Sequence, residues 1–464
     1  MHQPDIRKVA LFIAVLSGFI TPFDLSAVTI ALPSIGSEFA MDAVTLSWVS
    51  TAYLLAAGVF LVPFGRIADI YGRKKVFVAG LLLFILASAC MVLSVSSVMI
   101  ILLRVLQGTG AALIFGTAVA ILTEVSPVAE RGRALGIYTT AVYLGLSLGP
   151  FLGGFLVQHF GWRSLFLVNV PIGLFTIGLI LLYLKGEWAD SRGETFDLGG
   201  AVQYGLALIC IMYGFSLLPD TGGFLLLTAG TAILVWFVAR ELRVSHPLMD
   251  IGLWTKNRAF AFSNLAALIN YSATFAVTFF LSLYLQYVRD IDPWYAGTIL
   301  IIQPVMQAVL SPYAGRLSDR IPPGWIASVG MGLTAVGLVA LAFLDNTTPV
   351  PVLMLILAVL GIGFGLFSSP NVNAIMSSVQ KKYLGIASGT LGTMRLVGQM
   401  LSMGIATMIL AIYIGRTQIT SSQYGQLLSG MKSGFLIFSV LCLIGIAFSL
   451  VRCARTDESE ACVR

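Results

Sequence analysis

Along the chain, stretches of roughly 20 mostly apolar residues alternate with short polar breaks, about fourteen times in all. A helix of that length crosses about 30 Å of hydrocarbon while satisfying its own backbone hydrogen bonds. The pattern predicts spans near 9–31, 46–66, 75–95, 98–121, 134–157, 164–184, 198–217, 223–239, 260–286, 295–314, 326–344, 350–370, 384–411 and 434–451. Apolar runs this long show no period-two alternation, which excludes a closed β-barrel. The expected fold is therefore an all-α polytopic membrane protein.

Composition agrees with the pattern: of 464 residues 58% are hydrophobic and only 10% charged, with a mean hydropathy of +0.94. The first apolar run follows Arg7 and Lys8 as a signal peptide would, but it is too long and lacks a small-residue cleavage site, so it is read as a retained span. Lys and Arg are retained on the cytoplasmic side of short loops. With the N-terminus inside, most of the 27 basic residues fall in inner loops or ends, among them Arg73, Lys74, Lys75, Arg131, Arg133, Arg240, Arg243, Lys381 and Lys382. Both termini are thus expected in the cytoplasm of a multi-pass protein of the plasma (inner) membrane. The net charge of +6 reflects that topology and anionic membrane lipid; no basic soluble domain is present to make it a nucleic-acid footprint. The five cysteines (Cys90, Cys210, Cys442, Cys453, Cys462) have no framework spacing, so neither a disulfide scaffold nor a metal site is expected.

An internal repeat organises the spans. Gly65-Arg66-Ile67-Ala68-Asp69 recurs as Gly315-Arg316-Leu317-Ser318-Asp319, Leu135-Gly136-Ile137 recurs as Leu384-Gly385-Ile386, and Gly149 stands level with Gly398. These matches share nearly one offset and equivalent places in the topology. They predict an N-terminal six-helix bundle over 1–190, two inserted helices over 191–245, and a C-terminal six-helix bundle over 246–464.

A few residues stand out chemically within the apolar spans. Asp24 is the carboxylate placed well inside a span, where low dielectric penalises the charged form, so it can load and release a proton. Its bland alternative is a neutral, hydrogen-bonded or statically ion-paired Asp. Arg104 lies too deep in span four for a loop charge and needs a partner or water; the bland alternative is a snorkelling anchor. Arg395, deeper still in span thirteen, has Asn371, Asn373, Gln399, backbone carbonyls or an anionic solute as candidate partners, and a structural role is equally open. Tyr53, Tyr143, Asn264, Asn270, Tyr271, Gln303, Gln307, Asn371 and Asn373 are polar or aromatic side chains that either line a solute cavity or bond between helices. Mostly apolar surroundings with few polar groups suit amphipathic solutes better than sugars. Gly145, Gly149 and Gly153 recur every four residues as a flat strip, interrupted by Pro150. In the segment 65–75, Asp69 joins a basic cluster through Gly72; its recurrence at 315–319 points to a conformational latch built from Gly65, Arg66, Asp69, Gly72, Arg73, Gly315, Arg316 and Asp319.

Several of these strings resemble signatures of the major facilitator superfamily, and within it the fourteen-span drug:proton antiporters. The run Gly65 to Lys75 resembles the loop signature between spans two and three. Arg104-Val105-Leu106-Gln107-Gly108-Thr109-Gly110 resembles the span-four motif, and Gly145, Gly149, Pro150, Gly153 and Gly154 the span-five motif of antiporters. Phe23-Asp24 through Pro33, and Gly161-Trp162-Arg163 followed by Asn169 and Pro171, are similar to the fourteen-span group. Departures are Ile70 for a basic residue, Ser26 for Thr, Thr29 for Asn and Ser164 for Trp. The resemblance implies two six-helix bundles plus two inserted helices, a proton-coupling role for Asp24 tuned by Arg104, and a span-five helix that seals or bends between the halves during transport.

The function expected is secondary active transport by alternating access: proton-coupled efflux of amphipathic, drug-like molecules. An uncoupled facilitator or an uptake carrier is the alternative, and a membrane receptor or scaffold the one outside transport; the latter predicts a soluble module, yet no loop exceeds about twenty residues. No phosphate loop of the G-x-x-x-x-G-K-[ST] type is present, so the expected energy source is the proton gradient, with no ATP and no cofactor. Gly145-Leu146-Ser147-Leu148-Gly149 spells a hydrolase string, but inside an apolar helix, and His2, His159 and His246 all lie at or beyond span ends. An enzyme is not expected.

Overall fold

A computed structural model describes residues 6–127, 130–189, 191–244, 247–249, 251–380 and 383–451. His2, His246, Lys381, Lys382, Cys453, Cys462 and both chain ends lie outside the described residues. Among the described residues regular structure is entirely helical, and fourteen helices are long and apolar enough to cross a membrane. In chain order the helices are α1 (Ile6–Glu38), α2 (Ala43–Tyr71), α3 (Arg73–Val92), α4 (Ser97–Val125), α5 (Arg131–Phe160), α6 (Arg163–Tyr183), α7 (Leu198–Leu217) and α8 (Thr221–Glu241). They continue as α9 (Ile251–Lys256), α10 (Arg258–Leu283), α11 (Pro293–Leu300), α12 (Ile302–Ser318), α13 (Pro323–Leu341), α14 (Val350–Ser377), α15 (Leu384–Tyr413) and α16 (Tyr424–Val451). A π-helical turn, Tyr284–Val288, extends α10, and α11 and α12 together form one span.

Helices overrun the apolar windows that reveal them. The last span, expected from 434, begins a helical turn at Ser421, because a helix continues as long as its backbone bonds are made, whether or not its side chains are apolar. The expected loop 65–75 is likewise helical except at Gly72, whose φ of 123° only glycine adopts readily.

Two compact units form. One comprises Met1–Met249, Asp292–Gly297 and Arg416–Gln418; the other Asp250–Ile291, Thr298–Gly415 and Ile419–Arg464. Inside the first, α1 packs on α5 and α6, α2 on α4, and α3 on α4 and α6. Inside the second, α10 packs on α15 and α16, α12 on α14, and α13 on α14 and α16. The same wiring therefore occurs twice, and small residues mark equivalent seams: Gly80 meets Gly110 between α3 and α4, Gly330 meets Gly363 between α13 and α14. Gly149 of α5 packs on Ser26 and Ala27 of α1, while Gly398 of α15 packs on Leu268, Tyr271 and Ser272 of α10.

The helices α7 and α8 pack on each other, and α7 also on α2. Their base is closed by Asp197, which caps α7 through the Gly200 N–H at 3.0 Å and accepts from Arg240 of α8 at 2.7 and 2.8 Å. Burial alone would raise the Asp197 carboxyl, but the Arg240 and Gly200 donors outweigh it and hold it below the usual carboxylate range. Outward-facing Leu181, Leu182 and Trp236 remain exposed, as side chains turned to lipid would be.

Candidate functional site

Asp24 lies in the middle of α1, fully buried, two residues beyond Pro22. From α4, Arg104 donates through Nη1 to Asp24 Oδ2 at 2.6 Å, across 80 residues of sequence. Arg104 is also fully buried, so it is no snorkelling anchor here. Its Nε donates to the Val49 carbonyl at 2.9 Å, its Nη1 also to Gln107 Oε1 at 2.6 Å, and its guanidinium lies 4.3 Å from the Tyr53 ring centroid. Charge-assisted hydrogen bonds serve Nε and Nη1 and a cation–π contact covers the guanidinium face, while Nη2 has no hydrogen-bond partner among the described residues.

Asp24 Oδ1 accepts two further bonds, from Gln107 Nε2 at 3.0 Å and Asn169 Nδ2 of α6 at 2.7 Å. Gln107 Nε2 also donates to Ser88 of α3 at 2.9 Å. The cluster thus ties α1 to α3, α4 and α6, with Tyr53 of α2 as its floor and the Tyr53 hydroxyl on the Thr21 carbonyl at 3.3 Å. Sequence inspection singles out Asp24, Arg104 and Tyr53 as candidate site residues, notes Gln107 and Asn169 only as members of family-like motifs with no role of their own, and passes over Ser88. The available signals were weak: Gln107 one turn after Arg104, and an Asn isolated in an apolar span two residues before a proline.

The glycine strip of α5 faces α1. A side chain at Gly145 would fall on the Phe19 carbonyl, and one at Gly149 would come 2.5 Å from the Ser26 side chain; Gly153 opposes Ala27. Pro150 has no N–H for the Leu146 carbonyl, and the Ser26 hydroxyl supplies the missing donor at 2.8 Å. Gly145, Gly149 and Gly153 thus pack against α1.

The two copies of the latch string differ. In the first, Arg73 pairs with Asp69 one turn earlier, at 2.7 Å, and stands 3.8 Å from Glu124. The segment after α6 wraps this junction: Arg66 bonds Ser191 and Glu194, the Ser191 N–H donates to the Asp69 carbonyl at 3.0 Å, and the Arg73 N–H to the Trp188 carbonyl at 2.9 Å. Gly72 offers no capping side chain, so Glu187 accepts from the Lys74 N–H at 2.8 Å and places its charge at the start of α3. In the second copy Arg316 and Asp319 are exposed and take part in no ion pair among the described residues, while Gly315 packs near Ser369. Glu187→Ala is expected to cost about 1 kcal/mol of stability by removing the α3 cap, and Glu187→Gln less, since the amide oxygen still accepts. Thermal unfolding of the two variants in detergent measures the difference.

The remaining candidates in the second unit lie on α10, α12, α14 and α15. Asn264 and Asn270 are buried on α10; Asn264 donates to its own helix at Phe260, whereas neither polar atom of the Asn270 side chain has a hydrogen-bond partner among the described residues. Asn371 donates to the Ser263 carbonyl at 3.1 Å and Asn373 to Ser318 Oγ at 2.7 Å, so both amides serve helix contacts. Gln303 and Gln307 on α12 and Arg395 on α15 are half-buried, as is Tyr143 on α5 in the first unit.

Fourteen membrane-length helices among the described residues, in bundles wired alike, define a multi-pass membrane scaffold with an ion pair sealed inside one bundle. A family model for the Major Facilitator Superfamily matches residues 14–403 and again 263–461, and the chain belongs to that superfamily as a transporter of small-molecule solutes. It is 28% identical over 453 residues to the riboflavin transporter RibZ of Clostridioides difficile (strain 630), covering 98% of this chain and 99% of that protein. To the multidrug resistance protein Stp of Mycobacterium tuberculosis (strain CDC 1551 / Oshkosh) it is 31% identical over 408 residues, 86% of this chain and 75% of that one. To the tetracenomycin C resistance and export protein of Streptomyces glaucescens it is 30% identical over 417 residues, 89% and 76%. Among solved structures, a bacterial homolog of the human lysosomal transporter Spinster, inward-facing and unoccupied, shares the fold with a TM-score of 0.68 at 16% identity, covering 97% of this chain and 98% of that one.

Proposed function

We propose that this transporter exports amphipathic small molecules from the cytoplasm in exchange for protons, with Asp24 as the proton carrier. The observation that carries the reading is the Asp24–Arg104 pair, sealed from water inside the first bundle. As a carboxylate, Asp24 holds donors from α4 and α6; as an acid it loses its attraction for Arg104, and the tie between α1 and α4 slackens. Arg104 stays charged and falls back on the Val49 and Gln107 oxygens and the Tyr53 face. A local proton thus changes how firmly neighbouring helices are joined, which an alternating-access cycle of two six-helix bundles, 1–190 and 246–464, requires. Residues 191–245 contribute the two inserted helices, both termini sit at the cytoplasmic face of the inner membrane, and the string at 65–73 with its repeat at 315–319 acts as the latch. The half-buried Gln303, Gln307, Tyr143 and Arg395 and the buried Asn264, Asn270 and Asn371 contact the solute. Energy comes from the proton gradient, about 2.3 kcal/mol per charge per 100 mV plus the pH difference, with no ATP and no cofactor.

A second reading is uptake of a planar heteroaromatic solute, supported by full-length similarity to a riboflavin transporter. Sealed vesicles of known orientation separate the two. An imposed pH difference is expected to drive ethidium or a neutral dye against its gradient, with proton movement recorded by a pH-sensitive fluorophore. Riboflavin entering from the outer face and equilibrating without proton movement would favour the second reading.

A further inference from the structure

Asn169 is fully buried on α6, and its two side-chain polar atoms are treated unequally. Nδ2 makes the 2.7 Å bond to Asp24 Oδ1, whereas Oδ1 has no hydrogen-bond partner among the described residues. A buried carbonyl oxygen without a donor has given up its hydration for nothing, so the arrangement is incomplete as it stands. All of the side-chain bonds to Asp24 in this cluster are donated to it, from Arg104, Gln107 and Asn169, the pattern that a carboxylate accepts.

A proton added to Asp24 reverses that demand, because the acid's O–H must find an acceptor. Gln107 Oε1 and the Val49 carbonyl already serve Arg104, Ser88 Oγ serves Gln107, and the Tyr53 hydroxyl donates to Thr21. The charged and titratable groups facing Asp24 are Arg104 from α4 and Tyr53 from α2; α3 presents Ser88 and α6 presents Asn169, while Tyr138 of α5 packs on Gly18, nearly two turns away. Asn169 Oδ1 is the acceptor of this cluster that receives no donor among the described residues, and a half-turn of the amide brings it to the place Nδ2 now holds.

We infer that Asn169 is a positioning residue that follows the protonation state of Asp24, donating to the carboxylate and, once its amide has turned over, accepting from the acid. One proton is added at Asp24 Oδ1 and no other bond is made or broken. Without the turnover both the acid O–H and the Asn169 oxygen would be unsatisfied; with it both are joined, and the Asn169 Nδ2 group gives up its bond to Asp24. The inference rests on the coupling role proposed for Asp24.

Infrared difference spectra of the purified, folded protein, recorded between alkaline and acid pH, test it. A carbonyl band of the protonated Asp24 carboxyl is expected, identified by its loss in Asp24→Asn/Arg104→Met. It is accompanied by a change in the Asn side-chain amide band, identified by asparagine labelled with carbon-13 at the side-chain carbonyl and needing no variant. In Asn169→Leu the amide change disappears and the Asp24 band moves to the frequency of an acid whose O–H is free. Asn169→Ser, whose hydroxyl can donate or accept, returns it toward the hydrogen-bonded position. An Asp24 band accompanied by no amide change, or one identical in wild type and Asn169→Leu, overturns the role of Asn169 and leaves the coupling role standing. No Asp24-dependent band at any pH overturns the coupling role first, and with it this inference.

Discussion

Asp24→Asn is expected to destabilise the protein more than Arg104→Met does, and the double variant Asp24→Asn/Arg104→Met to recover most of the lost stability without recovering proton-driven transport. The physical reason is an asymmetry between the two charges. Arg104 is fully buried and its guanidinium keeps its proton, so removing the Asp24 carboxylate leaves a cation that nothing neutralises. Breaking a buried pair in this way costs about 3–5 kcal/mol, offset here in part by the Val49 and Gln107 oxygens and the Tyr53 ring. Removing Arg104 instead leaves a carboxylate that can take up a proton and become neutral. With both charges gone, two neutral groups of similar volume fill the space at little cost. Thermal unfolding in detergent ranks the three variants, and vesicle transport under an imposed pH difference reads the coupling. A double variant that still concentrates solute against its gradient would remove Asp24 from the proton path.

Gly145→Ala is expected to impair folding sharply, whereas Gly136→Ala on the same helix is expected to be neutral or mildly stabilising. At Gly145 the added methyl lands on the Phe19 carbonyl and close to the Phe23 N–H, both backbone atoms of α1 that cannot rotate away. The helices α1 and α5 must then separate. That weakens the Ser26 bond to the Leu146 carbonyl and shifts α1 where it carries Asp24. Overpacking of this kind costs about 1–3 kcal/mol, and more where backbone must move. Gly136 is exposed with nothing within 4 Å of an added methyl, so the exchange there gains the helix propensity of Ala, about 0.5–1 kcal/mol. Amounts of folded protein after detergent extraction, with unfolding temperatures, compare the two. Equal behaviour would mean that α1 and α5 do not pack as closely as the glycine strip allows.

What the sequence determined by itself was the set of spans, their repetition and the individual groups that do not belong in hydrocarbon. Lipid demands about 20 apolar residues per crossing and penalises every buried charge, so both leave marks that are local in the chain. The fourteen spans, the recurrence of Gly65–Asp69 at Gly315–Asp319, and Asp24 and Arg104 as costly residues are all legible for that reason. Only the tertiary structure decided which of these groups meet. Arg104 finds Asp24 across 80 residues, and Asn169 reaches the same carboxylate across 145. Glu187 caps a helix 113 residues before it, and the strip at Gly145 to Gly153 turns toward α1. In a soluble helix the apolar face announces which side packs inward; in a membrane both lipid and protein neighbours are apolar, so composition carries little of each helix's rotation and side-chain packing must set it.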